Sequence, residues 1–163
     1  MPRIITSILV PTDFSPPSEQ AFNYARGLAK ELGARLHLVH VVNRQLLAEG
    51  LAAEASIADG VSIGSALVEE AKARLQTLAP DAASAEVVFG YAAKSIVEYA
   101  SRVGVDLVVM GSHGRSGLAH VLLGSVAEAV VRTAPCPVLT VRQPVNASRS
   151  AASGQPEAAP TVK

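Results

Sequence analysis

Five short apolar runs with strand character alternate with stretches of helical periodicity along this chain. Because each run is separated from the next by a helical stretch, neighbouring strands are expected to run parallel. Helices that cover both faces of a sheet also explain why the runs are almost continuously apolar. The pattern predicts an α/β fold, with a five-stranded, parallel, doubly wound sheet and helices on both faces. The predicted strands are residues 4–10, 35–42, 85–89, 105–110 and 137–142.

Position within the sheet is predicted from the apolar content of each run. Residues 105–110 are the most hydrophobic run and are expected to form the central strand. Residues 85–89 are interpreted as an outer strand, because polar Glu86 alternates with apolar Ala85 and Val87 at the start of the run. The last run, 137–142, is expected at a sheet edge.

Helices are recognised by apolar residues that recur at steps of three and four. In the first helix, Ser15 can act as the cap, Pro16 suits the first helical position and Gly33 is a typical C-terminal glycine. Residues 43–60 are the least regular segment before the tail, with a short helix around 46–55 as one interpretation. The predicted helices cover residues 16–32, 62–79, 92–103 and 124–133.

Composition and charge exclude several classes of protein. Lys and Arg number 14, Asp and Glu also 14, and no basic block occurs, so a nucleic-acid backbone is not an expected partner. No apolar run approaches the ~18 residues needed to cross a bilayer, and residues 1–7 are too short for a signal peptide. We therefore expect a cytoplasmic protein that does not contact membranes. The single cysteine, Cys136, excludes an internal disulfide and is expected to be a buried core residue.

The chain is expected to contain one domain followed by a tail. Residues 1–142 hold all the periodic segments, whereas residues 143–163 are rich in Ala, Ser and Pro and have no period. Such a composition predicts a disordered tail. In a doubly wound sheet, ligands bind beyond the carboxyl ends of the strands where the strand order reverses. That rule points to residues 12–13, 41–42 and 110–111, which follow or end the first, second and fourth strands.

A glycine-rich loop follows the fourth strand. Gly111 and Gly114 stand at the strand exit, and nine residues separate Gly114 from Gly124 and Ser125, which gives the spacing G-x2-G-x9-G-S. Glycines let backbone amides approach an anion, and the N-terminus of the last helix would favour phosphate. The alternative is that these are ordinary turn glycines and that Ser125 only caps the helix. Neither GxxxxGK[ST] nor a GxGxxG after the first strand is present.

The glycine spacing, taken with the other strand ends, resembles the ATP-binding branch of the universal stress protein family. The resemblance covers about residues 1–142. It implies the adenine nucleotide alpha hydrolase-like version of the doubly wound fold. The segments that carry it are residues 8–15, 40–42, 106–114, 124–127 and 136–141.

What the resemblance implies is an ATP molecule lying across the strand ends. Gly111, Gly114, Gly124 and Ser125 would hold the phosphates. Ser112, His113 and Val126 would line the site. A divalent ion, Mg²⁺ or Mn²⁺, would bind to the phosphates of the nucleotide and would not need a dedicated protein site.

The nucleoside would lie near the first two strands. Asp13 would accept hydrogen bonds from the ribose hydroxyls, although it could instead cap the first helix. The backbone of Val41 would meet the adenine edge, and Pro11 and Met110 would supply apolar contact. Thr12 belongs to the same predicted site. Arg115 would either reach the phosphates or remain a solvated loop residue.

The histidines do not form a convincing metal site. His37 and His40 lie three residues apart on a strand and therefore face opposite sides of the sheet. His113 and His120 have no carboxylate at ligand spacing. No protein metal site is predicted.

Family members commonly dimerise through the last strand, and an exposed apolar edge invites pairing with another chain. The resemblance therefore implies a homodimer through Val138, Leu139, Thr140 and Val141.

The predicted function is an ATP-binding regulatory module of the stress response. The alternative is a slow ATPase or phosphotransferase that uses the same site. Hydrolysis needs a base or a water-orienting group. The loop has no lysine, and His113 is its only candidate base, so no catalytic residue is assigned.

Overall fold

A computed structural model of the chain describes residues 5–43, 63–113 and 123–142. The interpretations made for 46–55 and for the tail 143–163 lie outside these residues. The strands are β1 (Ser7–Pro11), β2 (Arg35–Asn43), β3 (Ser84–Gly90), β4 (Leu107–Gly111) and β5 (Val138–Val141). The helices are α1 (Pro16–Leu32), α2 (Ile63–Leu78), α3 (Ala92–Val103) and α4 (Ser125–Thr133).

The five strands form one parallel sheet in the order β3-β2-β1-β4-β5. This confirms the predicted fold class and places β3 and β5 at the two edges, as expected. The expectation that the fourth strand is central was wrong, because β1 occupies the centre and β4 lies between β1 and β5. All five residues of β1 and all five of β4 are buried, so apolar content could not tell these neighbours apart.

The helices cover both faces of the sheet. On β1, Ile8 and Val10 pack on one face, whereas Leu9 packs on the other, as the alternation of side chains along a strand requires. The first face is covered by α1 and α2, including Phe22 and Leu75. The second face is covered by α3 and α4 through their buried residues Ile96, Tyr99, Ala100, Ala127 and Val130. Two apolar cores therefore hold the sheet in the middle layer.

The ends of α1 follow the sequence signals. Ser15 occupies the N-cap position and proline fills the first helical position. Gly33 ends the helix in the left-handed region at φ 63°, which a glycine adopts without the steric cost of a Cβ. Cys136, expected in the core, is only half-buried and packs against the face that α3 and α4 cover. Within the described residues, no helix is both long and apolar enough to cross a membrane.

Candidate functional site

A cavity of about 580 Å³ opens at the carboxyl ends of the strands. Its size falls within the range of small-molecule sites in proteins. Most of the residues predicted for the binding site line it, and Gly114 and Arg115 lie outside the described residues. The predicted residues that line the cavity are Pro11, Thr12, Asp13, Val41, Met110, Gly111, Ser112, His113, Gly124, Ser125 and Val126.

The cavity lies where the chain segments that follow β1 and β4 diverge. Beyond β1, the Thr12 amide donates to the Val39 carbonyl of β2 at 2.9 Å. Beyond β4, the Ser112 amide donates to the Val141 carbonyl of β5, also at 2.9 Å. The segment after β1 therefore continues alongside β2, and the segment after β4 continues alongside β5, so the two segments turn away from each other. This is the crevice expected where the strand order reverses.

Gly111 is required here by packing. A Cβ at this position would lie 3.0 Å from the carbonyl oxygen of Pro17 and 3.1 Å from that of His113. Any side chain would therefore push the end of β4 away from the first turn of α1. The glycine that the spacing had suggested for anion binding thus has a structural role of its own.

Asp13 holds the start of α1. One of its carboxylate oxygens, Oδ1, accepts hydrogen bonds from the Ser15 amide, at 3.0 Å, and from the Ser15 hydroxyl. The side chain of Ser15 makes no capping bond to the helix. The alternative weighed for Asp13 was that it caps the first helix; the N-cap residue is Ser15, and these bonds join Asp13 to that residue. The carboxylate also lines the cavity, so a role in ligand binding stays a prediction.

The side chain of Thr12 is committed to the same turn. Its Oγ1 accepts a hydrogen bond from the Phe14 amide at 3.0 Å and lies 3.1 Å from the hydroxyl of Ser18. Ser18 in turn donates to the Ser15 carbonyl at 2.8 Å, which leaves the Thr12 hydroxyl as donor to Ser18. Thr12 and Ser18 are both buried. The Thr12 side chain therefore shapes the wall of the cavity.

Several residues that line the cavity were not among the predicted site residues, including Phe14, His40 and Arg74. Phe14 adopts a left-handed backbone with φ 60°, and its ring lies 4.6 Å from the ring of His40, centroid to centroid. The guanidinium carbon of Arg74, on α2, lies 4.1 Å from the centre of the Phe14 ring. His40 Nδ1 is 2.8 Å from the Thr12 carbonyl, and since a carbonyl only accepts, this nitrogen carries the proton. Phe14, His40 and Arg74 all line the cavity.

The opposite wall is the N-terminus of α4. Gly124 is the N-cap residue, so Ser125 is the first helical residue and does not cap the helix. The Gly124 amide is already used, because it donates to the Ser112 carbonyl at 2.7 Å. The first-turn amides of Ser125, Val126 and Ala127 have no acceptor within the helix, as in every helix. Together with the helix dipole they make this wall attractive to an anion.

His113 and Ser112 lie at the floor between the two walls. Their side chains meet at 3.0 Å, Ser112 Oγ to His113 Nδ1. Ser112 is buried, whereas His113 is half-exposed and reaches the cavity. The segment that follows β4 therefore places one hydroxyl, of Ser112, and one imidazole, of His113, at the cavity.

The histidines of β2 go to different places. His40 contacts the cavity wall, whereas buried His37 lies 2.7 Å from the Ser84 hydroxyl through Nδ1. Burial lowers the pKa of His37, and the nearby charge of Arg35 acts in the same direction. Within the described residues, no group of three or more His, Cys, Asp or Glu side chains is arranged to hold a metal ion.

Residues 5–142 match the model of the universal stress protein family. Among curated proteins, universal stress protein MJ0531 of Methanocaldococcus jannaschii is 38% identical over 148 residues, covering 87% of this chain and 85% of that protein. Universal stress protein A homolog 2 of Coxiella burnetii is 36% identical over 140 residues, covering 83% of this chain and 93% of its own length.

Solved structures are also similar to this chain. The structure of MJ0577, also from M. jannaschii, superposes with a TM-score of 0.73 at 30% identity and covers 87% of this chain and 99% of its own. A universal stress protein in complex with cAMP superposes with a TM-score of 0.58 at 27% identity, covering 86% of this chain and 98% of its own.

Proposed function

Because this chain belongs to the universal stress protein family, we propose that it binds ATP and acts as a nucleotide-dependent regulatory module of the stress response. One observation carries the proposal. A single cavity brings the Asp13 carboxylate on one wall together with the N-terminus of α4 on the other. The cAMP complex of a similar protein supports an adenine nucleotide as the class of ligand.

The triphosphate is proposed to lie against α4. The amides of Ser125 and Val126 would donate to phosphate oxygens, and the helix dipole would add to their attraction. Gly124, Gly111 and the predicted loop residues Gly114 and Arg115 would complete this side. A small residue at 124 keeps the space in front of the amides open.

The nucleoside is proposed to lie against β1 and β2. Asp13 would accept from a ribose hydroxyl, since an ionised carboxylate has acceptor capacity beyond the bonds it receives from Ser15. The backbone of Val41 would meet the adenine edge. Pro11 and Met110 would pack on the base and sugar with apolar surface.

A divalent ion would enter with the nucleotide. Mg²⁺ is commonly bound through substrate phosphates and retains several waters, so it does not need a cluster of protein carboxylates. Mn²⁺ is the alternative ion for this role. We therefore propose an ATP complex of the divalent ion as the ligand in the cell, with the cytoplasm as its location.

A slow ATPase is the alternative for the same site, because His113 reaches the cavity. Efficient hydrolysis needs a positioned base and groups that stabilise the charge of the transition state. Ser112 already engages one ring nitrogen of His113. Binding without efficient turnover is therefore the function that we favour.

A homodimer through β5 is also proposed. β5 is an edge strand, and its neighbour on one side only is β4. Val138, Leu139, Thr140 and Val141 are all half-buried in the single chain. A second copy would cover the open edge. The domain proposed to bind and dimerise is 1–142, and removal of 143–163 is expected to leave both properties intact.

The binding test is calorimetry with protein shown by mass spectrometry to be free of nucleotide. Titration with ATP and Mg²⁺ is expected to give one binding site per chain. The dissociation constants for ADP, AMP and cAMP, measured in the same way, show which adenine nucleotide is preferred. Phosphate release would be followed on the same sample, with His113→Gln as the matched variant. No heat and no rise in melting temperature with any of the four nucleotides would overturn the proposal. Release that His113→Gln abolishes would favour the enzyme.

A further inference from the structure

Phe14 is the only non-glycine residue with positive φ in the described part of the chain. The left-handed region is rarely adopted by a residue with a large side chain, so the surroundings must hold it in place. The strained residue immediately follows Asp13, and both line the cavity. A contact that holds Phe14 therefore also holds the backbone next to Asp13.

Two hydrogen bonds from backbone amides stabilise the turn formed by residues 12–15. The Phe14 amide donates to Thr12 Oγ1 at 3.0 Å, and the Ser15 amide donates to Asp13 Oδ1 at 3.0 Å. These two bonds link residues two apart in sequence and belong to the turn itself. They do not connect it to another element of the fold.

Thr12 is bonded to β2 through its backbone, and the ring of Phe14 makes two further long-range contacts. One contact is with His40 of β2, whose imidazole is fixed by its bond to the Thr12 carbonyl. The other is with Arg74 of α2, whose guanidinium carbon is 4.1 Å from the ring centre. A cation over an aromatic ring at this distance is attracted to it. Phe14 is thus held between β2 and α2.

Arg74 is available for this contact. Within the described residues, no carboxylate lies within ion-pairing distance of its guanidinium. Ala71 and Leu75 on the same helix are buried, and Leu75 packs in the core beneath α2, so α2 is anchored on the sheet next to Arg74. The side chain itself is exposed.

We propose that Arg74 is a positioning residue of the nucleotide site, which acts through Phe14 to hold the turn that presents Asp13. This inference rests on the proposed function. By linkage, a nucleotide that contacts Asp13 also stabilises the contact between Phe14 and α2. Nucleotide occupancy and the placement of α2 are therefore coupled.

The first test measures the dissociation constant for ATP and Mg²⁺ in single variants. Arg74→Ala is expected to raise it by about two- to fivefold, the range that corresponds to loss of a cation–aromatic contact at an exposed site. Arg74→Lys keeps a cation above the ring and is expected to recover part of the loss. Lys72→Ala is the matched control, since Lys72 is on the same helix but pairs with Glu69 at 2.8 Å. Equal losses in Lys72→Ala and Arg74→Ala would overturn the proposal.

The second test separates positioning from direct contact with the nucleotide. Phe14→Gly removes the ring, and glycine adopts φ 60° without strain. In that background, Arg74→Ala is expected to have no further effect on ATP affinity, because the partner through which it acts is gone. If Arg74→Ala still weakens binding by the full factor, the arginine acts on the nucleotide itself and the proposal is wrong.

The third test needs no nucleotide. In the free protein, hydrogen exchange at the Phe14 and Ser15 amides is expected to be faster in Arg74→Ala than in the wild type or in Lys72→Ala. Unchanged exchange overturns the proposed role of Arg74 whether or not ATP binds. If the wild type binds no nucleotide, the proposed function fails and the role in binding fails with it, whereas the exchange rates still decide whether Arg74 holds the turn.

Discussion

The amide of Gly124 donates a 2.7 Å hydrogen bond to the carbonyl of Ser112. This bond ties the N-cap of α4 to the residue that follows β4. The next three amides, at the start of α4, are thereby held at the mouth of the cavity, where the helix dipole favours negative charge. The relationship explains how a short helix at the end of the domain can form one wall of a site whose other wall is β1.

A first prediction concerns the space in front of these amides. Gly124 has φ −68° and ψ 153°, which valine can also adopt, so Gly124→Val adds bulk without backbone strain. We expect the variant to fold and its dissociation constant for ATP to rise by more than about tenfold, which corresponds to 1.4 kcal/mol. Calorimetry measures the affinity and circular dichroism the fold.

Gly27→Val is the matched control, because a Cβ at Gly27 would meet nothing within 4 Å. It is expected to bind ATP as the wild type does, with a small loss of helix stability at most. Normal binding by Gly124→Val would show that the phosphates lie elsewhere.

A second prediction concerns Asp13 and the ribose. A hydrogen bond to a charged group contributes about 1.5–3 kcal/mol, so removal of the ribose hydroxyl that donates to Asp13 should weaken binding by roughly 10- to 160-fold. In Asp13→Asn this preference for ATP over its 2′-deoxy and 3′-deoxy analogues should shrink. The measurement is the ratio of dissociation constants in each variant.

Ser15→Ala provides the control for the second prediction. It removes the hydroxyl that donates to Asp13 but leaves the carboxylate in place. The preference for the ribose hydroxyl should therefore survive. Equal preference in the wild type and Asp13→Asn would assign the ribose to another residue.

The fold was predictable because periodicity and alternation are local signals. The spacing of apolar residues predicted four helices within a residue or two of their observed bounds, and the outer position of β3 was predicted correctly. The central strand was misassigned because β1 and β4 are equally buried, so the higher apolar content of the fourth run did not indicate the centre of the sheet. Strand order depends on contacts between distant segments, which composition alone does not encode.

The lining of the candidate site was predictable where it depends on strand ends. Asp13 and Gly111 were identified because they directly follow or end strands of a parallel sheet. Arg74 was not, because it occupies an exposed position on a helix and meets Phe14 only through the tertiary fold. The need for glycine at 111 likewise comes from the approach of Pro17, which sequence spacing does not reveal.

A third prediction concerns pH and His37. Burial lowers the pKa of this histidine from its ordinary value of 6.5, so below that pH the unfolded chain binds the proton more readily than the folded chain. The free energy of unfolding should therefore be unaffected by His37 well above pH 6.5 and should fall as the pH drops below it.

The measurement for the third prediction is urea unfolding at a series of pH values for the wild type and His37→Gln. The amide side chain can keep a hydrogen bond to Ser84 but does not titrate. Its unfolding free energy should decline less steeply on acidification than that of the wild type. Parallel declines would mean that His37 does not contribute to acid sensitivity.

The last prediction concerns the open edge of β5. The carbonyls of Pro137 and Val141 accept from the amides of Val108 and Ser112, so residues 137, 139 and 141 direct their backbone groups towards β4. By alternation, Val138 and Thr140 direct theirs towards the open edge. Thr140→Pro therefore removes an outward amide without removing a bond to β4.

We expect Thr140→Pro to shift the protein from dimer to monomer in light scattering while ATP still binds. Thr140→Val keeps the amide and should remain dimeric, so it separates the loss of the backbone donor from the loss of the side chain. If the dimer persists in Thr140→Pro, the two copies do not pair through this strand. If the wild type is monomeric at all concentrations tested, the proposed dimer is wrong altogether.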